Sequence, residues 1–68
     1  MEHYVSYIKG NKVRKDHVGH LCTELLNDDR FNAVQTEQEF INYVNTLVEE
    51  RPEVTDAVLD LKKEMGFL

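Results

Sequence analysis

The sequence has 68 residues, one cysteine and a formal net charge of −5 at pH 7. A chain of this length buries only roughly 60% of the surface that its unfolded form exposes, so we expect residues 1–68 to form one small domain of about 3–5 kcal/mol net stability. A single cysteine excludes an internal disulfide and is typical of an intracellular protein. Because no apolar run exceeds three residues, we expect no membrane span, no secretory signal and a cytoplasmic location.

Charge is distributed unevenly along the chain. Residues 1–20 carry four basic side chains against two carboxylates, whereas residues 21–68 carry four basic side chains against eleven carboxylates. Most of the surface would therefore repel a phosphate backbone, and only the segment from Lys9 to Lys15 would attract one. An acidic balance of this kind favours solubility and basic partners.

The first predicted helix runs from about Glu2 to Lys9. Its apolar residues give it one wide face: Tyr4, Val5, Tyr7 and Ile8. Gly10 and Asn11 readily adopt the left-handed conformation that ends a helix, so we expect the helix to end there. A polar, basic loop follows, up to Lys15.

The second predicted helix has an apolar stripe with the spacing i, i+3, i+4, i+7 and i+8: Val18, Leu21, Cys22, Leu25 and Leu26. Asp16 can cap its start, and short polar side chains at positions 27–29 predict its end. Phe31, just beyond, is predicted to fold back into the core. Gly19 costs about 1 kcal/mol relative to alanine inside a helix, and we attribute its presence to a close approach of the first helix.

Two further helices are predicted in the second half of the chain. Thr36 and Glu39 form a predicted capping box at the start of the third helix, and Pro52 predicts its end. The fourth helix begins either at Pro52 or after Thr55, and it ends at Gly66. The apolar stripes of these helices are Phe40, Tyr43, Val44, Leu47 and Val48 in the third, and Val54, Ala57, Val58, Leu61 and Met65 in the fourth.

The elements predict an all-α protein. We expect a compact bundle of four helices, or of five if a short helical turn forms near Asn32. Loops of about five to nine residues between short helices suit a compact bundle better than a long coiled coil.

The candidate reactive groups do not form a catalytic or metal site. His17, His20 and Glu24 have metal-ligand spacing on one helix face, but a structural zinc ion needs a fourth ligand, which His3 or a distant carboxylate would have to supply. The carboxylate pairs at 28–29 and 49–50 lie at helix ends, where capping or hydration accounts for them. No glycine-rich phosphate loop occurs. The sequence therefore predicts a protein that is not an enzyme and has no metal or cofactor.

One pattern resembles a known family. The residues that carry it are Gly19-x-Leu21-Cys22-x-x-Leu25-x-x-Asp28-x-x-Phe31, preceded by Tyr4-Val5-x-Tyr7-Ile8 and followed by Phe40 to Leu47. They resemble the YozE family of small bacterial proteins, found mostly in firmicutes and their prophages. Over about residues 4–50 this likeness implies a compact helical fold similar to the sterile alpha motif, with protein association or nucleic-acid binding as its function. The chain departs from the family pattern at two places. Asn32 follows Phe31 where the family usually has a proline. The last helix carries Val58, Leu61 and Met65 where the family has aromatic residues, so we expect this helix to pack differently.

We interpret the chain as a small bacterial or phage interaction module that binds another protein. Contact is predicted through the acidic surface of the last two helices, or through Tyr7, Lys9, Lys12, Arg14 and Lys15. Two alternatives stay open. The same residues would bind DNA or RNA weakly, with cations on phosphates and Tyr7 stacking on a base, or the acidic half would mimic a nucleic acid. Tyr4, Tyr7 and Tyr43 are predicted at the rim of the core, with a contact patch as the alternative.

Overall fold

The computed structural model describes residues 2–67, apart from the side chain of Glu2, and within that range it contains only helices, turns and irregular connections. The α-helices are α1 Glu2–Asn11, α2 His17–Leu26, α3 Asp29–Asn32, α4 Glu37–Glu50 and α5 Thr55–Glu64, with a 3₁₀ turn at Pro52–Val54 before α5. They enclose one core in a body of nearly equal extents, 26 × 25 × 24 Å. The all-α class is confirmed, and α3 is the short fifth helix near Asn32.

The core is built from one side of every helix. Three residues of the predicted stripes, Leu26, Val48 and Met65, are only partly buried and pack against the edge of the core. The buried apolar residues are Ile8, Val18, Leu21, Cys22, Leu25, Phe31, Phe40, Tyr43, Val44, Leu47, Val54, Ala57, Val58 and Leu61. Phe31 folds back as predicted, with its ring centroid 6.3 Å from that of Phe40 and 6.1 Å from that of Tyr43. Among the helices of residues 2–67, none is long and apolar enough to cross a bilayer.

Side chains cap α2 and α4 as the sequence predicts. The backbone N–H of Gly19 donates to Oδ1 of Asp16 at 2.9 Å. In α4 the N–H of Glu39 donates to Oγ1 of Thr36 at 3.1 Å, and the N–H of Thr36 donates back to Oε1 of Glu39 at 3.2 Å. These bonds satisfy backbone donors that the first turn of a helix otherwise leaves unpaired.

The end of α1 differs from the prediction. Neither Gly10 nor Asn11 has a positive φ, and α1 continues through both residues. The reason is local, because Nδ2 of Asn11 donates to the carbonyl oxygen of Tyr7 at 2.8 Å and the N–H of Arg14 donates to the carbonyl of Asn11 at 3.1 Å. The expectation of a left-handed end at Gly10 and Asn11 was therefore wrong.

The end of α5 follows the prediction. Gly66 has φ +84°, and the N–H of Phe67 donates to the carbonyl of Lys62 at 2.8 Å, which is the pattern of a Schellman motif. This turn brings the ring of Phe67 to 5.9 Å from that of Phe40, centroid to centroid. Phe67 thus folds back onto the core, whereas the same expectation for Leu68 lies outside the described residues.

Candidate binding surface

The residues predicted to bind a partner lie at the end of α1 and in the loop before α2, and we call residues 9–15 the basic segment. Arg14 does not extend into solvent. Its guanidinium donates to Oε1 of Glu64 at 2.6 Å, to Oδ2 of Asp16 at 2.5 Å and to Oδ1 of Asn11 at 3.2 Å. These contacts join the loop to the start of α2 and to the end of α5. The hydrogen bond to Glu64, and next the hydrogen bond to Asp16, raises the pKa of Arg14.

The first turns of α2 pack directly against the backbone of this loop. A Cβ atom placed on Gly19 would lie 2.0 Å from the carbonyl oxygen of Arg14. The predicted close approach at Gly19 is therefore real, but the neighbour is the loop and not the first helix. Oγ1 of Thr23 also donates to the carbonyl of Lys12, at 3.4 Å. Two residues of α2 thus contact the backbone of the loop.

Tyr7 is part of the same network. Its hydroxyl donates to Oε1 of Glu64 at 2.6 Å, the oxygen that Arg14 also contacts. This hydrogen bond to a carboxylate, helped by partial burial, raises the pKa of Tyr7 to about 12. In turn, Arg14 and then Tyr7 lower the pKa of Glu64. At neutral pH the carboxylate therefore stays ionised and the phenol stays protonated.

All three tyrosines use their hydroxyls inside the molecule. Tyr4 donates to Oε2 of Glu37 at 2.8 Å, and Tyr43 donates to Oδ2 of Asp28 at 2.9 Å. Tyr43 is also buried in the core, whereas Tyr4 and Tyr7 are half-buried beside it. These positions favour the interpretation of the tyrosines as residues at the rim of the core over that of a contact patch.

The lysines of the basic segment differ from Arg14. Lys9, Lys12 and Lys15 are exposed, and none of them forms an ion pair with any side chain of residues 3–67. Val13 lies between them with a relative exposure of 75%; in the described part of the chain, Leu59 at 42% is the other large hydrophobic residue that is exposed. The segment therefore presents three cations and one apolar side chain to solvent.

The remaining arginines are also used in internal ion pairs. Arg30 pairs with Asp28 at 3.1 Å and with Glu50 at 2.9 Å. Arg51 pairs with Glu24 at 3.0 Å, and it links α2 to the turn after α4. Among the described residues, positive charge without an ion-pair partner is thus found on lysines, and three of the five lysines lie in the basic segment.

A cleft of about 180 Å³ lies beside the network, between α1 and α5. It is lined by His3, Tyr4, Tyr7, Glu64 and Met65. Its carboxylate already accepts hydrogen bonds from Arg14 and Tyr7. The cleft therefore offers no uncompensated charge to a ligand.

Several of the histidines and paired carboxylates named above form contacts within the fold. Nε2 of His17 lies 2.5 Å from Oδ2 of Asp60 on the surface. Across residues 2–67, no group of three or more His, Cys, Asp or Glu side chains is placed to hold a metal ion. Asp28 caps α3 by accepting from the N–H of Arg30 at 2.9 Å, and Glu50 pairs with the same arginine. These groups tie helices together.

The five residues predicted to bind a partner are close in the sequence, and the structure gives them two roles. Tyr7 and Arg14 hold the segment in place, whereas Lys9, Lys12 and Lys15 point their charge to solvent. Sequence reasoning missed Glu64, which lies 50 residues from Arg14, and it also missed Val13. The signal available for Val13 was its place as the one apolar residue between Ile8 and Val18.

The chain has no significant match among family models, curated proteins or solved structures. Its likeness to the YozE family and to the sterile alpha motif therefore stays a prediction.

Proposed function

We propose that this chain is a non-enzymatic helical module that binds another protein through its basic segment. The observation that carries the proposal is a basic segment whose backbone is held in place and whose lysines form no ion pair with a side chain of residues 3–67. Arg14 holds that backbone by three side-chain contacts, and Lys9, Lys12 and Lys15 stay exposed. A surface that is ordered before binding loses less conformational freedom on association, which favours affinity.

The charges of the segment support a protein partner over a nucleic acid. With Arg14 neutralised by Asp16 and Glu64, three cations are left to contact phosphates. With three phosphate contacts, a plot of the logarithm of the binding constant against the logarithm of the salt concentration has a slope of only about −3. Nucleic-acid binders usually show a domain-wide positive balance, whereas this chain has a net charge of −5.

Comparative capture from a bacterial lysate tests the proposal. The immobilised protein, its Lys12→Glu variant and its Lys62→Glu variant would each be used as bait, with captured proteins quantified by mass spectrometry. Lys62 is the matched control, since it carries the same charge and contacts Asn45 of α4. We expect at least one protein to be captured by the parent chain and the control and to be lost with Lys12→Glu.

A second measurement separates the nucleic-acid alternative. The protein would be passed over heparin and titrated with a labelled DNA duplex at low salt. Retention that falls steeply as salt rises, and that disappears with Lys12→Glu, would favour nucleic acid and would count against the proposal. A captured protein that depends on Lys12, together with no retention on heparin, would support it.

The buried thiol of Cys22 supports a reducing compartment. We therefore include a cytoplasmic location in the same proposal.

A further inference from the structure

We propose that Val13 is the anchor of the binding surface, and that its partner is an acidic protein segment carrying apolar side chains among its carboxylates. This inference rests on the proposed function, and it adds the chemistry of the partner and the residue that selects it. The juxtaposition that carries it is an exposed valine on a rigid loop, next to lysines that form no ion pair with the side chains of residues 3–67.

Val13 takes no part in the packing of the core. Among the described residues, fourteen apolar side chains are buried in the core, yet Val13 keeps 75% of its surface in water. Neighbouring positions do serve the fold, because Arg14 binds Glu64 and the carbonyl of Lys12 accepts from Thr23. Val13 has no such role, which makes its side chain available to a partner.

Rigidity makes this exposure useful for recognition. The carbonyl of Arg14 packs against Gly19, and the guanidinium of Arg14 is held by Glu64 and Asp16. Val13 therefore projects from a fixed backbone, and its branched side chain has few rotamers to lose on binding. Less conformational freedom is therefore lost on association, which favours affinity.

The charges around Val13 identify the partner's chemistry. Lys9, Lys12 and Lys15 attract carboxylates, and no carboxylate of residues 3–67 pairs with them. An apolar side chain adds little to contacts with phosphates, which are made by cations and hydrogen-bond donors. The combination therefore fits an acidic protein segment whose apolar residues cover Val13.

Two synthetic peptides test the inference. They have equal length and equal negative charge, and they differ only in that acidic residues alternate with leucine in one and with serine in the other. Binding to the full chain would be measured by fluorescence anisotropy at low salt. We expect the leucine peptide to bind about tenfold more tightly, as burial of one valine predicts.

Variants assign the preference to Val13. In Val13→Ser the leucine and serine peptides should bind equally, because the apolar contact is gone while the lysines remain. Leu59→Ser is the matched control, since Leu59 is exposed on α5 beside Val48 of α4, and it should keep the preference. In Lys12→Glu both peptides should bind much more weakly. Melting curves of each variant would show that the fold is intact.

Other outcomes would overturn the inference in distinguishable ways. Equal binding of both peptides by the parent chain, lost in Lys12→Glu, would remove the role of Val13 and leave the proposed function standing. Binding of neither peptide would reject the acidic partner, and the capture experiment then decides the proposed function separately. Binding to vesicles of equal phosphatidylglycerol and phosphatidylcholine that depends on Val13, without a peptide preference, would assign the surface to membranes instead.

Discussion

The substitution Gly19→Ala tests the contact on which the geometry of the basic segment depends. A Cβ atom at this position would lie 2.0 Å from the carbonyl oxygen, 2.6 Å from the carbonyl carbon and 2.8 Å from the Cβ of Arg14. Two of these atoms belong to the backbone, so a change of rotamer cannot relieve the clash. The loop must move away from α2 if the alanine is to fit.

The magnitude follows from opposing contributions. Alanine gains about 1 kcal/mol over glycine in helix propensity. Overpacking of a tight contact costs about 1–3 kcal/mol, and displacement of the loop weakens the Asp16 cap on Gly19, which is worth about 1 kcal/mol. The net loss is about 2 kcal/mol, a large part of the about 3–5 kcal/mol expected for a domain of this size. For such a domain this lowers the melting temperature by about 8–16 °C.

Thermal unfolding followed by circular dichroism measures this loss, and Gly10→Ala supplies the control. Gly10 also lies in a helix, but nothing lies within 4 Å of a Cβ atom built there and its φ is not positive. Gly10→Ala should therefore raise stability by up to about 1 kcal/mol. If Gly19→Ala melts at or above the temperature of the parent chain, the packing of the loop on α2 is not as described.

Three further predictions concern the end of α5, the thiol and the carboxylate network. Gly66→Ala should lose about 1 kcal/mol in urea unfolding, because φ at Gly66 is +84°, and an unchanged midpoint would contradict this. Burial raises the pKa of Cys22 to about 11, so a thiol reagent at pH 7 should react slowly until denaturant is added, whereas immediate reaction of the native protein would show an open core. Arg14 and Tyr7 lower the pKa of Glu64 from 4.5. The stability that this carboxylate contributes is therefore present above pH 4.5 and is lost as the pH falls through the lowered pKa. The drop in melting temperature on acidification should accordingly be smaller in Glu64→Gln than in the parent chain.

The elements that the sequence predicts correctly are those that depend on local spacing and local hydrogen bonds. A capping box needs only Thr36 and Glu39 at the right separation, and the stripe of α2 needs only apolar residues every three or four positions. Pro52 ends α4 because its ring disfavours the helical conformation of the residue before it. Such features are readable from one short window of sequence.

The end of α1 could not be predicted in the same way. Gly10 and Asn11 are residue types that often end a helix, but the outcome depends on which partner the Asn11 side chain finds. In this protein the amide of Asn11 donates to the carbonyl of Tyr7, and its side-chain oxygen accepts from Arg14. With these contacts α1 continues to Asn11, two residues beyond the predicted end at Lys9, and the loop begins after it.

The division of roles within the basic segment was also beyond the sequence, because it depends on the far end of the chain. Composition makes Arg14 and the lysines equivalent positive charges, but α5 returns to this end of the bundle and Glu64 meets the guanidinium. An arginine suits that position because its planar group contacts several acceptors at once, which a lysine cannot do with fixed geometry. Arg14 therefore acts by positioning. Its side-chain contacts hold the loop, and the loop then presents Lys12, Val13 and Lys15 in the arrangement that the proposed partner would meet.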